Sequence, residues 1–490
     1  MSEPPLILVL DEGTSSTRAI LYGLDGAVHG SCSRPLTQHY PAPGLVEHDA
    51  DEIWRETLAC GRQMVREAGG PQRIAAIGIT NQRETVVAWD RRTGEPLHRA
   101  IVWQDRRTAD ACEQLRAGGH EAAVQRRTGL RLDPYFSGTK MAWLLGQPAV
   151  SAAGDALAFG TVESWLVWKL TGGRVHVTDA SNASRTLLMP LDGAEWDEEL
   201  CALIGVPRGT LPRIVGNAEP IGETSPEWFG APIPVTALVG DQQSATIGQG
   251  CLAPGQTKLT LGTGAFVLTT LGERRPDAPG RLLGTVLCDV GGKRHYALEG
   301  SIFVAGSLVK WLRDDLKMLL SAGESEALAR SVEDNGGVFL LPALSGLGAP
   351  YWRPNAKAVI AGMTFSTTRA HVVRAALEAI SHQTVDLAVA FGDAGAQWAE
   401  LRTDGGMSAN DWLAQDLADM LRLPVQRPAD VETTARGAAM LAAVGAGLHA
   451  DLETAAAAML PPTQAFAPHG NADARQRRLA GWNRLLAATE

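Results

Sequence analysis

Two short turns rich in glycine and threonine, one near the start of the chain and one past its midpoint, constrain the fold most strongly. The first spans residues 11–16 (DEGTSS) and the second spans residues 261–264 (LGTG). Each turn follows an apolar run and leads into another, which is typical of a strand, a tight turn and a second strand. The repetition indicates two halves that each contribute one such turn.

Turns of this composition can hold a phosphate group. Glycine permits positive φ angles and lets backbone N–H groups approach an anion closely, and the neighbouring Thr and Ser hydroxyls add further donors. A hairpin without a ligand is the alternative for either turn taken alone. Two such turns in one chain favour a nucleotide held between the two halves.

The composition limits the classes of partner. A chain of 490 residues is long enough for more than one domain, and 45% hydrophobic with 20% charged residues is typical of a globular protein. Because the net charge is −10 and no basic run of five residues occurs, neither nucleic acid nor an acidic membrane surface is an expected partner. The first residues lack a basic start and a long apolar core, so we expect no membrane span and a cytoplasmic location.

Strand-like runs alternate with longer helical patterns, which favours an α/β architecture. Strands are expected at residues 74–79, 86–89, 235–239 and 338–342, and helices at residues 53–67, 160–170, 370–391 and 410–421. The alanine-rich segment 437–460 is interrupted by charged residues and is expected to form a packed helix pair. A glycine-rich stretch at 248–255 marks the expected boundary, which divides the chain into domains 1–248 and 249–490.

The cysteines carry no metal or disulfide pattern. None belongs to a C-x-x-C motif or lies beside a histidine pair. They are expected to be small buried hydrophobic side chains. The six positions are Cys32, Cys60, Cys112, Cys201, Cys251 and Cys288.

A set of polar residues between the two turns is dense enough to form a substrate site. Arg83 and Glu84 stand between two apolar runs, where they form either a solvated turn or a fork for a polyol. An Arg donates and a Glu accepts, so together they complement neighbouring hydroxyl groups. Trp103 and Tyr135, each in a polar stretch, are expected either as apolar walls for a carbon skeleton or as core residues.

Two acidic residues directly follow apolar runs. In α/β sheets ligands bind at the carboxyl ends of strands, so Asp241 is well placed as a general base, with a helix cap as the alternative. Asp11 has the equivalent place in the first turn. A carboxylate facing phosphates is repulsive unless Mg²⁺ intervenes, so Asp11 either handles Mg²⁺ or only shapes the turn.

A third glycine cluster, residues 401–410 (LRTDGGMSAN), is predicted to be a strand, a glycine turn and the start of a helix. This layout can receive the adenosine end of a nucleotide, or it is a tight turn in which Asn410 or Ser408 caps the helix. Neither G-x-x-x-x-G-K-[ST] nor G-x-G-x-x-G occurs. A nucleotide site here is therefore of neither the Walker nor the Rossmann type.

Together these motifs resemble the FGGY family of carbohydrate kinases, and in particular its members that phosphorylate glycerol. In the first half the similarity lies in residues 11–18 (DEGTSSTR), 81–85 (NQRET), 103–108 (WQDRRT), 134–140 (PYFSGTK) and 240–243 (GDQQ). In the second half it lies in residues 261–264, 297–300 (ALEG), 346–352 (GLGAPYW) and 404–406 (DGG). The resemblance therefore covers most of the chain.

The resemblance implies a two-domain actin-like ATPase fold, each domain with a ribonuclease-H-like core. It also implies phosphoryl transfer from ATP to glycerol, giving ADP and sn-glycerol 3-phosphate, with Mg²⁺ near Asp11 and with Asp241 orienting the attacking hydroxyl. The implied glycerol contacts are Arg83, Glu84, Trp103, Tyr135, Asp241, Gln242 and Phe266. The implied nucleotide contacts are Thr14, Ser15, Ser16, Arg18, Thr263, Gly306, Gly406 and Asn410.

Two residues depart from the family pattern. Glu12 replaces the usual Gln, and its extra negative charge near the expected phosphates predicts altered metal affinity or nucleotide KM. Lys310 stands at a nucleotide-side position where some relatives carry Gln. Two alternatives remain open, a kinase of the same superfamily for another polyol or ketose, and a non-catalytic actin-like nucleotide switch. The sequence leaves open whether the chain forms a homo-oligomer.

Overall fold

The computed structural model describes residues 4–277, 280–353, 355–430 and 432–489, which form two large mixed sheets with helices around them. In the first half the strands are β1 (Leu6–Glu12), β2 (Ser16–Tyr22), β3 (Val28–Pro35), β4 (Gln38–His39), β5 (Glu47–His48), β6 (Ile74–Asn81), β7 (Val87–Asp90), β8 (Ala100–Ile101), β9 (Leu157–Gly160), β10 (Val177–Asp179), β11 (Arg213–Val215), β12 (Ala218–Glu223) and β13 (Pro234–Gly240). The α-helices of this half are α1 (Ala50–Glu67), α2 (Ala109–Ala117), α3 (Glu121–Thr128), α4 (Ser137–Leu145), α5 (Pro148–Ala152), α6 (Val162–Leu170), α7 (Ala180–Ala183), α8 (Glu198–Ile204), α9 (Pro226–Phe229) and α10 (Asp241–Gly248).

The second half contributes its own strands and helices. Its strands are β14 (Gln256–Leu261), β15 (Ala265–Gly272), β16 (Leu283–Val290), β17 (Lys293–Ile302), β18 (Phe339–Leu341), β19 (Val359–Ala361), β20 (Glu400–Asp404), β21 (Val425–Pro428) and β22 (Thr463–Phe466). Its α-helices are α11 (Gly306–Asp314), α12 (Glu324–Arg330), α13 (Arg369–Asp393), α14 (Asp411–Leu421), α15 (Thr433–Gly445), α16 (Leu452–Met459) and α17 (Ala472–Ala487).

Five consecutive strands follow the same order in both large sheets, β3-β2-β1-β6-β13 in the first and β17-β15-β14-β20-β21 in the second. The first sheet runs β12-β13-β6-β1-β2-β3, and the second runs β16-β17-β15-β14-β20-β21-β22. In each sheet the opening hairpin and a third strand are antiparallel, and the first strand then pairs in parallel with a later strand, β1 with β6 and β14 with β20. A further parallel strand follows, β13 or β21. This order confirms the expected pair of ribonuclease-H-like cores in an actin-like two-domain fold.

Helices α10 and α15 cross closely where the two halves meet. A Cβ atom on Gly248 of α10 would lie 1.9 Å from the carbonyl oxygen of Thr433, and one on Gly437 of α15 would lie 1.8 Å from that of Ser244. Real Cβ atoms do not approach backbone atoms this closely, so only glycine permits the crossing. Although α15 comes late in the chain, it packs against β1, β6 and β13 of the first sheet.

The long helical and strand patterns are confirmed by the structure, with boundaries shifted by at most three residues. Helix α1 begins earlier than its apolar pattern because the Asp49 side chain accepts hydrogen bonds from the backbone N–H groups of Asp51 and Glu52. The alanine-rich segment forms the expected helix pair, α15 and α16. Across the described residues, no helix combines the length and the apolar character needed to cross a membrane.

Candidate active site

The chemistry-bearing residues meet at the carboxyl ends of two neighbouring parallel strands. Strand β6 is followed by Arg83 and Glu84, and β13 is followed directly by Asp241, the first residue of α10. The Arg83 Nε atom lies 3.5 Å from Asp241 Oδ1. Because parallel strands end on the same edge of a sheet, residues 158 positions apart in the chain become neighbours.

Arg83 also connects the two halves of the molecule. Its Nη1 and Nη2 atoms donate to Glu299 Oε2 at 2.6 Å and to Glu299 Oε1 at 3.1 Å, and Nη2 donates to the Tyr135 hydroxyl at 3.3 Å. Glu299 lies in β17 of the second sheet. The guanidinium is almost completely buried, so these bonds hold it in one orientation.

A second buried arginine, Arg185, lies behind the first. Its Nε atom donates to Glu84 Oε1 at 2.7 Å and its Nη2 atom donates to Glu299 Oε1 at 3.2 Å. Burial alone would raise the pKa of Glu299, but the charges of Arg185 and Arg83 outweigh it and lower that pKa to about 2. Glu299 is therefore an ionised anchor shared by two arginines.

Asp241 has the environment of a proton acceptor. Its side chain is 31% exposed, and its Oδ1 atom accepts the backbone N–H of Gln242 at 2.7 Å. Desolvation raises the pKa of Asp241 to about 6. The positive charge of Arg83 lowers this pKa, and the negative charge of Glu84 raises it, but both effects are smaller than that of desolvation. The carboxylate is therefore largely ionised at neutral pH, yet close enough to neutrality to take a proton.

Trp103 and Tyr135, the two residues expected as an apolar wall or as core, lie side by side in the structure. The rings of Trp103 and Tyr135 meet edge to face with centroids 5.7 Å apart. The Trp103 Nε1–H group donates to Thr14 Oγ1 at 3.0 Å, which ties the wall to the first glycine turn. Phe266, in β15, is partly buried and pairs across the sheet with Ser301; among the described residues it makes no ring contact with this wall.

The first glycine turn closes the β1–β2 hairpin and is linked to Trp103 through Thr14. The Gly13 N–H group donates to the Ser16 carbonyl at 3.0 Å, and the intervening Ser15 is exposed. Asp11 and Arg18 are paired residues of the hairpin and form an ion pair. Arg18 also pairs with Glu432, directly before α15, so this turn too is linked to the second half.

Glu12 does not face the turn. Successive strand side chains point to opposite faces, so Glu12 lies beneath the sheet, fully buried against α1, where its Oε2 atom accepts from Thr57 Oγ1 at 2.7 Å. Burial raises its pKa to about 8, so the carboxyl is mostly protonated at pH 7. The buried and mostly neutral carboxyl therefore argues against an extra negative charge at the phosphates.

The second glycine turn packs against the start of α11. The Gly306 N–H group donates to the Gly262 carbonyl at 2.9 Å, and a Cβ atom on Gly306 would lie 2.5 Å from that oxygen. Thr263, at the tip of the turn, is exposed. The close approach brings a helix N-terminus and a glycine turn to one place, which suits an anion. Lys310 is exposed one turn further along α11.

The third glycine cluster adjoins the second turn. Gly406 is exposed at the start of a short 3₁₀ helix, Gly406–Ala409. Asn410 caps α14, because its Oδ1 atom accepts the Leu413 N–H at 2.9 Å. Asn410 is therefore the helix cap that the sequence offered as one alternative. The nucleotide contacts of Gly406 and Asn410 stay predictions.

Sequence reasoning missed several residues of the site. Glu299 lies in the ALEG motif (residues 297–300), which the resemblance included without giving this residue a role, whereas Arg185 left no signal. Lys140 is buried and donates from Nζ to the carbonyl groups of Glu84 at 3.2 Å and of Tyr135 at 2.6 Å. These bonds support Glu84, whose φ of 61° is in the left-handed region. Lys258 donates from Nζ to Gln242 Oε1 at 2.6 Å, which positions that amide.

The residues present suit a loosely held Mg²⁺ ion. The described part of the chain contains no group of three or more His, Cys, Asp or Glu side chains arranged for a metal. Mg²⁺ commonly keeps several waters and binds through one or two carboxylates together with substrate phosphates. Asp11, next to the first glycine turn and only 3% exposed, offers one such carboxylate. Burial raises its pKa, and the charge of Arg18 opposes that rise.

Two ribonuclease-H-like sheets, each opening with a hairpin that a glycine turn closes, define the actin-like ATPase class. The chain belongs to the FGGY family of carbohydrate kinases: the family's N-terminal domain matches residues 6–248 and its C-terminal domain matches residues 257–446.

Several similar proteins bear one name. The chain is 52% identical to a protein named glycerol kinase from Dechloromonas aromatica, over 98% of this chain and 96% of the relative. It is 50% identical to a glycerol kinase from Rhodospirillum centenum, over 100% and 99% of the two chains. The crystal structure of Plasmodium falciparum glycerol kinase with ADP superposes with a TM-score of 0.93 at 33% identity and covers 100% of this chain and 99% of that one.

Proposed function

We propose that this protein transfers the γ-phosphoryl group of ATP to glycerol, giving ADP and sn-glycerol 3-phosphate. The observation that carries the proposal is the placement of the Asp241 carboxylate 3.5 Å from the Arg83 guanidinium, beside the Trp103–Tyr135 wall. Binding and phosphorylating a small triol requires a base, a set of hydroxyl-binding groups and an apolar wall. The name shared by the similar proteins supports the same substrate.

The substrate would lie with its carbon skeleton against Trp103 and Tyr135. Arg83 and Glu84 form the floor of the pocket, and they offer donors and acceptors to adjacent hydroxyl groups. Gln242, held by Lys258, lies beside the base, and Phe266 would close the pocket from the second half. The bonds from Arg83 and Arg185 to Glu299 keep the floor rigid.

Asp241 would take the proton of the attacking hydroxyl as its oxygen bonds to the γ-phosphorus and the bond to the ADP oxygen breaks. Such transfer depends mainly on positioning and on neutralising charge. The first turn, through Thr14, Ser15, Ser16 and Arg18, would hold the phosphates from one side, and Thr263, Gly306, Gly406 and Asn410 would hold the nucleotide from the other. Mg²⁺, held near Asp11 and by the phosphates themselves, would neutralise negative charge on the phosphate oxygens.

A panel of substrates tests the proposal. ADP release is measured by a coupled assay with saturating ATP and Mg²⁺, in the presence of glycerol, erythritol, xylulose or no acceptor. We expect turnover that depends on glycerol and is weaker with the longer substrates, because the aromatic wall limits the length that fits. Preference for a ketose would assign the chain to another kinase of the family. ATP hydrolysis at the same rate with and without an acceptor would favour the alternative of a non-catalytic nucleotide switch.

A further inference from the structure

Two cysteines in the first half lie in direct contact. The Sγ atoms of Cys32 and Cys60 are 3.1 Å apart. Cys32 lies in β3, the edge strand of the first sheet, and Cys60 lies in α1, which packs across β2 and β3. The expectation that every cysteine is merely a buried hydrophobic side chain is therefore too simple at this position.

The two sulfur atoms differ in their surroundings. Cys32 is partly exposed to solvent and its Sγ atom donates to Gln63 Oε1 at 3.2 Å, whereas Cys60 is completely buried. Burial, followed by the contact with Cys32, raises the pKa of Cys60 to about 12, and the nearby Arg34 guanidinium offsets only part of the rise. Cys60 is therefore a thiol at neutral pH, and Cys32 is the sulfur that a dissolved oxidant reaches first.

We propose that Cys32 and Cys60 form a redox-sensitive pair that a peroxide converts into a reversible disulfide between β3 and α1. In the first step one peroxide oxygen is transferred to Cys32, which becomes a sulfenic acid while the other oxygen leaves as water. The Cys60 sulfur then attacks the Cys32 sulfur, the S–S bond forms and the S–O bond breaks. The hydroxyl leaves as a second water with the Cys60 proton, so two thiols lose two electrons and one peroxide gains them.

The geometry favours this reaction over deeper oxidation of Cys32. A sulfenic acid condenses with a thiol when one is within reach, and Cys60 is already in contact. Closing the gap from 3.1 Å to a bond of about 2.05 Å needs a movement of only about 1 Å. Since β3 pairs with a neighbour on one side only, the edge strand can absorb this movement while β1 and its glycine turn stay in place.

The cross-link would tie the edge of the first sheet to the helix beneath it. It closes a loop of 27 intervening residues, from 33 to 59, and so restricts the unfolded chain. We therefore expect the oxidised enzyme to keep its activity and to lose it more slowly on heating than the reduced enzyme. A thiol reductant should reverse the difference.

The test uses the full-length enzyme, reduced and then treated with hydrogen peroxide at low molar excess. We expect the thiol count after denaturation to fall from six to four, with a mass loss of about 2 Da and a proteolytic fragment that joins Cys32 to Cys60. Cys32→Ser, at the partly exposed position, should abolish both the fragment and the slower heat inactivation. Cys201→Ala, which removes a buried cysteine elsewhere, should leave both unchanged.

Three results would overturn the proposal. One is a stable sulfinic acid on Cys32 with Cys60 still titrating as a free thiol. Another is a disulfide that maps to other cysteines or joins two chains. The third is heat inactivation that is equally fast for the oxidised and the reduced enzyme. Cys60→Ser, at the buried position, should likewise abolish the cross-linked fragment, and if that variant does not fold, Cys32→Ser alone decides the outcome.

Discussion

Arg83 and Glu299 form a two-point ion pair across the junction of the two halves, with N–O distances of 2.6 and 3.1 Å. Arg83 follows β6 of the first sheet, and Glu299 belongs to β17 of the second. Both side chains are only about 2% exposed. Arg185 donates to the same carboxylate, so the buried Glu299 carboxylate forms ion pairs with two buried guanidinium groups. Such an arrangement is costly to break because the partner left behind stays buried and unpaired.

Glu299→Gln should strongly destabilise the protein. The neutral amide leaves Arg83 and Arg185 with less compensation, and removing one partner of a buried ion pair typically costs about 3–5 kcal/mol. Urea unfolding followed by circular dichroism measures the change in the free energy of unfolding. Glu113→Gln is the matched control, because Glu113 pairs with Arg116 on the exposed face of α2 and should matter far less. Equal effects of the two substitutions would contradict this view of Glu299.

Asp241→Asn should abolish most of the phosphorylation while preserving the fold. An amide cannot accept the hydroxyl proton, and loss of a general base costs on the order of 10²–10⁴ in rate. Steady-state kinetics give kcat, and circular dichroism with ATP binding checks the fold. A well-folded variant with kcat close to that of the wild type would remove Asp241 from this role.

The rate should depend on pH with an acid limb set by Asp241. Its pKa of about 6 means that the carboxyl is protonated below that pH and can no longer accept a proton. We expect kcat/KM for glycerol to level off above about pH 7 and to fall about tenfold per pH unit well below pH 6. The residual activity of Asp241→Asn should lack this limb. A wild-type profile that stays flat down to pH 5 would disagree with the assignment.

Arg83→Ala should raise the KM for glycerol more than the KM for ATP. Loss of a charged hydrogen bond costs roughly 1.5–3 kcal/mol, which is about ten- to a hundredfold in affinity. Arg18→Ala is the counterpart, because Arg18 lies beside the first glycine turn, and it should affect ATP more than glycerol. Both KM values are measured for both variants. Equal effects on the two substrates in Arg83→Ala would show that the pocket has been misassigned.

Glu12→Gln should leave kcat, the KM for ATP and the Mg²⁺ dependence within about twofold of the wild-type values, because uncharged isosteric changes away from a site have small effects. The side chain is buried on the opposite face of β1 from Asp11 and contacts Thr57. Asp11→Asn is the matched change at the neighbouring position, and there the Mg²⁺ concentration for half-maximal rate should rise. A large effect of Glu12→Gln on the Mg²⁺ dependence would place its charge at the phosphates after all.

Much of the site could be predicted from the sequence because its signals are local. A glycine turn between two apolar runs defines a hairpin, and a polar residue directly after a strand lies at the sheet edge where ligands bind, whatever the rest of the chain does. Arg83, Glu84 and Asp241 follow this rule. The repeated turns predicted only one hairpin in each half, and the duplicated ribonuclease-H-like cores were implied by the family resemblance.

Other features depended on contacts between distant segments, which no local pattern specifies. Arg185 and Glu299 are 114 positions apart, and only the packing of the two halves brings them into contact. The pleat of β1 decided that Glu12 faces α1, and the packing of α1 on the edge strand decided that Cys32 meets Cys60. The sequence by itself determined which groups can do chemistry at the strand ends. Tertiary structure decided their charge states and partners, because burial and long-range pairing set both.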